Sequence, residues 1–379
     1  MYWISRQFEL SRHGAAPNLR PMEGMRGFAV FLVFLVHYAT LAAPWVGKDT
    51  AFDQVLHTVH TIGNAGVDLF FVLSGYLIYG SLIARAQRFL PFIRRRIARI
   101  YPAFCVVFAL YLLLSFAYPA ESKLPKAGID AWLYLCQNFL LLPGVLRIEP
   151  MITAAWSLSY EMLYYLVIPV VIAMLRLRAR SRAFRVAFFC ASAVGLAAYC
   201  ALYDGHVRFL MFIAGSLLYE ALQDRSIAVP RSPFTLLALV GGLVATTLPY
   251  AGSAATVSKQ LLLCWSFGIV CYACFRQPDN AVARAFSHTG LRWLGNMSYS
   301  YYLLHGLTLK AGFKVLFAVI PHVQHEVLAV LATLPLMFAF TLATSAVLFI
   351  FVEKPLSLAV PVPGHVPAAA PLASTVQAS

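Results

Sequence analysis

The chain has 379 residues, 61% of them hydrophobic and only 12% charged, with a mean hydropathy of +0.75. A soluble domain is about half apolar and about a quarter charged, so water-soluble folds, nucleic-acid modules and disulfide-stapled secreted domains are disfavoured. The formal net charge of +14, from 29 Lys+Arg against 15 Asp+Glu, is therefore read as basic residues in cytoplasmic loops.

Apolar runs of about 20 residues are candidate membrane spans. In chain order they fall at 27–45, 62–83, 101–119, 158–175, 186–203, 206–222, 233–250, 257–275, 297–320 and 327–351. A shorter run at 131–145 ends at Pro143-Gly144 and is expected to be an interfacial or re-entrant helix. The expected fold is an all-α polytopic membrane bundle of about ten helices. The connections alternate in charge. Arg6, Arg12 and Arg20 precede the first span. Arg85, Arg88, Arg94, Arg95, Arg96 and Arg99 fill the second connection, and Arg176 to Arg185 the fourth. The opposite connections carry Lys48, Lys123, Lys126 and Arg147. The positive-inside rule places both termini in the cytoplasm.

The first 20 residues lack the apolar core of a cleavable signal peptide, and the tail from about Ala359 is rich in Pro and Ala. The domain reading is a cytoplasmic segment at 1–20, a membrane domain at 21–356 and a disordered cytoplasmic tail at 357–379. The seven Cys lie almost all in apolar runs and read as small buried residues. No metal is expected, because His57 and His60 lack an evident third ligand and no other paired spacing occurs.

Ionisable groups inside a span cost about 2.5–3.5 kcal/mol on insertion scales, so they mark function by default. Four stand out: His37, Asp68, Glu161 and His305. His37 lies eleven residues past Arg26, roughly 16 Å of helix rise, near the middle of a ~30 Å hydrocarbon core. Asp68 and Glu161 start helices from the outside and are expected near the outer boundary, where they could line one cavity with the two histidines. Each has a plainer reading. The carboxylates could complement helix dipoles, and His305 could bond a neighbouring helix.

At these residues the chain resembles acyltransferase family 3, the bacterial integral-membrane O-acyltransferases. The likeness runs from Arg20-Pro-Met-Glu-Gly-Met-Arg26, with His37 at the family spacing, through Gly66-Val-Asp68 and Ser74-Gly75. It continues with Arg94-Arg-Arg96-Ile-Ala-Arg99-Ile-Tyr101-Pro102 and Trp156-Ser157-Leu-Ser159-Tyr-Glu161. It closes with Ser298-Tyr-Ser-Tyr301-Tyr-Leu-Leu-His305 and Glu353-Lys354-Pro355. Many members carry a second acidic residue where Met162 follows Glu161, and some append an extracytoplasmic hydrolase-like domain, of which this chain shows none.

The resemblance implies transfer of an acyl group, most often acetyl, from acyl-CoA as co-substrate to a hydroxyl of a sugar or other glycoconjugate. No tightly bound cofactor and no nucleic acid are implied, and the location is the bacterial plasma (inner) membrane. His37 suits a general base, with Glu161 first and Asp68 second as its orienting carboxylate. Ser157, Tyr301 or backbone groups near Gly75 could stabilise the oxyanion. Arg26, Arg96 and Arg99 suit the phosphates of coenzyme A. Ser74, Trp156 and His305 are expected to bind substrate or support the site. A proton-coupled transporter is the competing class, since it too would place His and Glu at mid-membrane.

Overall fold

The computed structural model describes residues 2–10, 19–126, 128–203, 205–249, 251–321 and 323–358. The expected tail thus lies, from 359 onward, outside the described residues. Among those described, the chain is helical throughout, with one isolated bridge between Pro143 and Leu146.

A short helix, α1 (Tyr2–Phe8), precedes α2 (Leu19–Ala42). The stretch expected as an outer loop holds a helix, α3 (Ala51–Gly63), which runs into α4 (Ala65–Ala84) through Asn64. Its start is written in the sequence: the Thr50 hydroxyl accepts from the Asp53 N–H at 3.1 Å, an N-cap of the Thr-x-x-acid kind. Then come α5 (Phe89–Ala117), the short α6 (Ile129–Phe139), α7 (Trp156–Met174), α8 (Arg182–Tyr203), α9 (Phe209–Leu222), α10 (Ser232–Ala245) and α11 (Ser253–Arg276). Two small helices, α12 (Ala281–Phe286) and α13 (Thr289–Asn296), lead to α14 (Ser298–Val319) and α15 (Glu326–Leu348). The last helix passes into a π-helical segment at Phe349–Leu358, with Pro355 inside it.

Among the described residues, eight segments are long and apolar enough to cross a membrane. They correspond to eight of the ten expected spans. The other two, α9 and α10, are apolar but have 14 residues each, roughly 21 Å of rise, short of a ~30 Å core. The run at 131–145 is α6, an 11-residue helix that stops before Pro143, as a non-spanning element should.

The bundle turns apolar side chains outward. Leu113, Phe116, Val194, Leu202, Leu237 and Trp265 are all exposed, a surface suited to lipid. Inside, α4 packs on α9 at Gly75, where an added Cβ would stand 2.4 Å from the Phe212 carbonyl oxygen. Only hydrogen fits at this crossing. The start of α2 is flanked by α12 and α13, and α14 pairs with α15. We call the end holding Arg94–Arg99 and the starts of α2 and α14 the basic end.

Candidate active site

A cavity of about 170 Å³ opens between α2, α4, α5, α7 and α14. Arg26, Arg96, Arg99, Glu161, Ser74 and Ser157 line it, together with Tyr165, Ser298, Tyr299 and Tyr302. The arginines come from two helices. Arg26 donates through Nη2 to Ser298 Oγ at 3.0 Å, tying α2 to the start of α14. Arg99 donates through Nη1 to Glu353 Oε1 at 2.7 Å. Glu353 is fully buried, and its second oxygen accepts from both the N–H and the hydroxyl of Ser300, at 3.0 and 2.5 Å. Arg99 also lies over the Tyr299 ring at 5.6 Å. Arg96 is different. Its guanidinium sits over Phe92 and Tyr165 at 5.1 and 5.5 Å, it makes no ion pair among the described residues, and its Nε is buried without a hydrogen-bond partner.

Glu161 is deeper than its place in the sequence implies. It lies five residues into α7, yet it accepts from Ser74 Oγ at 3.0 Å, and Ser74 lies nine residues into α4. Tyr165, one turn on, also donates to it. The reason is the connection before α7. Leu141, Met151, Ile152, Ala154 and Ala155 are buried, so α7 begins inside the bundle. This corrects the expectation of an outer-boundary carboxylate, and it puts Glu161 with the arginines rather than with His37.

Asp68 is elsewhere. It is buried at the far end of α4, accepts from Gln260 Nε2 at 2.8 Å and meets Arg208 Nε at 3.5 Å. Arg208 in turn stacks on Trp156 at 4.9 Å. Asp68 and Trp156 therefore form a buttress joining α4, α7, α9 and α11, and neither lines the arginine cavity. Of the four ionisable residues expected around one cavity, Glu161 lines the arginine cavity, while Asp68, His37 and His305 do not.

The histidines do meet. The rings of His37 and His305 lie 5.0 Å apart. His305 is fully buried, with Nδ1 2.9 Å from the Tyr301 carbonyl oxygen and Nε2 without a partner. A carbonyl only accepts, so Nδ1 carries the hydrogen and Nε2 keeps its lone pair. His305 also stacks on Tyr301 at 5.6 Å and lies 6.0 Å from the Tyr302 ring. Tyr302 belongs to the cavity wall and shares a 2.6 Å hydrogen bond with Ser157. Tyr302 thus stands between the histidine pair and the arginine cavity. Tyr301 turns away, bonded to Thr341 at 2.7 Å, and Gly75 lies mid-helix, where its N–H serves the helix ladder. Neither is placed to donate into the cavity.

A family model described as an acyltransferase domain, acyltransferase family 3, matches residues 21–350. The chain belongs to this family. It is a multi-pass membrane acyltransferase. Acyltransferase MdmB of Streptomyces mycarofaciens is 26% identical over 89% of this chain and 91% of its own length. O-acetyltransferase OatA of Staphylococcus aureus is 27% identical over 76% of this chain. The alignment spans about half of OatA's length, 50%. An uncharacterized Haemophilus influenzae protein is 37% identical over 28% of the chain. No solved structure matches.

Several acyltransferase cavity residues escape a reading based on composition. Tyr165, Ser298, Tyr299 and Tyr302 are ordinary helix residues until the helices assemble. Glu353 stands in a visible motif, but its partner Arg99 is 254 positions away. Lys310 and Lys314, charged residues within the α14 span, were a signal available to the same rule that singled out His305.

Proposed function

We propose that this acyltransferase moves an acyl group, acetyl foremost, from acyl-CoA to a hydroxyl of a sugar or glycan acceptor, as a membrane O-acyltransferase. The observation that carries the reading is the arginine cavity. Three guanidiniums stand against one fully buried carboxylate, Glu353, and one half-buried carboxylate, Glu161, and Arg96 pairs with neither among the described residues. Unpaired charge inside a protein is costly unless a ligand compensates it, and arginine forks match phosphate oxygens. The cavity holds one end of such a donor, with the rest at the basic end, which the positive-inside rule assigns to the cytoplasm. The likeness to O-acetyltransferase OatA supports the O-acetyl chemistry, and the bacterial relatives support a bacterial plasma membrane.

The chemistry follows from the histidine pair. His37 is half-buried, so its ring can turn to donate one N–H to the free Nε2 of His305. Its other nitrogen then serves as base. The acceptor hydroxyl gives its proton to His37 as its oxygen attacks the thioester carbonyl. The C–S bond breaks, and the thiolate leaves with that proton. Tyr302 and Ser157 share one hydrogen bond, and the hydroxyl that accepts in it keeps its own proton to donate to the developing oxyanion. His305 takes the orienting role expected of a carboxylate, while Glu161 fixes Ser74 and Tyr165 beside the arginines.

The test is acyl transfer from labelled acetyl-CoA in membranes holding the full chain. His37→Ala is expected to lose transfer by at least about a hundredfold while inserting normally. Arg96→Gln is expected to raise the donor KM by about tenfold. Full activity in an inserted His37→Ala protein would defeat the mechanism, and an unchanged donor KM in Arg96→Gln would remove the cavity from donor binding.

A further inference from the structure

A second cavity, of about 410 Å³, lies at the end of the bundle opposite the arginines. Its walls are the last turns of α5, the segments around 121–123 and 151–153, and the face of α14 that carries Gly306, Lys310 and Lys314. The chemistry is two-sided. Tyr111, Leu114 and Val315 give an apolar wall, and Val315 is itself 64% exposed on the bundle's outside, so this wall is continuous with the lipid-facing surface. The other wall is cationic, with Lys310, Lys314 and Lys123.

The lysines are out of place by the rule for spans, since both Lys310 and Lys314 sit within a helix long and apolar enough to cross a membrane. One carboxylate serves both. Glu121 meets Lys310 at 2.8 Å and Lys314 at 2.6 Å, and the two ammoniums hold its carboxyl down at about 2. Two positive charges therefore share one negative charge. Lys123 pairs with Glu149 at 3.1 Å at the rim. Each ammonium has three donors, and exposed pairs of this kind are worth little, so Lys310 and Lys314 can take another anion without losing a strong bond. The cavity also reaches the backbone of α14 beside the histidine pair: a Cβ at Gly306, the residue after His305, would meet nothing within 4 Å.

We propose that this cavity binds an anionic amphiphile, its phosphate on Lys310 and Lys314 and its chain along Tyr111, Leu114 and Val315. The phosphate belongs either to a bilayer lipid or to a substrate carried on a lipid chain. Binding is read without turnover, so it stands or falls independently of the acyl-transfer mechanism.

The test is native mass spectrometry of the full chain in neutral detergent, titrated with phosphatidylglycerol, phosphatidylcholine, a long-chain polyisoprenyl phosphate and inorganic phosphate. Phosphatidylglycerol is expected to bind about tenfold tighter than phosphatidylcholine. The double variant Lys310→Gln/Lys314→Gln should abolish that preference, and Glu121→Gln, which frees both lysines, should strengthen it. Retained preference in the double variant, an unchanged one in Glu121→Gln, or displacement by inorganic phosphate alone would overturn the proposal. A polyisoprenyl phosphate that binds about tenfold tighter than phosphatidylglycerol assigns the site to a substrate-borne phosphate. Equal binding assigns it to bilayer lipid.

Discussion

Arg96 and Arg99 are three residues apart on one helix, yet their surroundings give them different work. Arg99 is held by buried Glu353, which Ser300 fixes in turn. Arg96 rests on aromatic rings with its charge uncommitted. Glu353 is thus a positioning residue. Glu353→Gln keeps a hydrogen-bonding shape for Ser300 but removes the charge that orients Arg99. We expect it to raise the acyl-CoA KM by about tenfold, with a smaller change in kcat, read from initial rates over a donor series. An equal loss at saturating donor would show that Glu353 supports the fold only. The types of these residues are plain in the sequence, and so is the cost of burying them. Their pairing is not, because it depends on which helices become neighbours.

At the scale of elements, the decisive feature is where α7 begins. The connection from α6 folds inward and is pinned by Asn138, whose side chain accepts from the Met151 N–H at 2.7 Å, and by Ser159, which donates to the Pro143 carbonyl. Gly144 holds the turn with φ +98°, and a Cβ there would stand 2.3 Å from the Trp156 carbonyl oxygen. Gly144→Ala meets both a left-handed backbone and a clash. It should cost about 1–3 kcal/mol, lower Tm by a few degrees, and reduce transfer by displacing Glu161. A thermal melt in detergent with a parallel transfer assay checks this. Pro143-Gly144 was legible as the end of a non-spanning helix. The inward path was not, since hydropathy reports that residues are apolar but not whether protein or lipid covers them. The same limit hid α3, although its Thr50 cap was there to read.

For the whole molecule, a reporter fused at the C-terminus is expected to read as cytoplasmic, by the arginine bias of alternate connections. A reading from the other side would reverse the roles assigned to the two ends of the bundle. The family model across residues 21–350 and the eight apolar helices agree with what composition and hydropathy determine by themselves. Water must be excluded along each span, and a backbone in lipid must satisfy its hydrogen bonds by forming helices. The sequence also determines which few side chains are too polar to be there by chance. Only the tertiary structure decides how they group. Four ionisable residues expected around one cavity separate into a histidine pair, an arginine–glutamate cavity and an Asp68–Arg208 buttress. Helix depth, rotation and neighbours are set by packing between segments hundreds of residues apart, and periodicity along one helix carries no record of that.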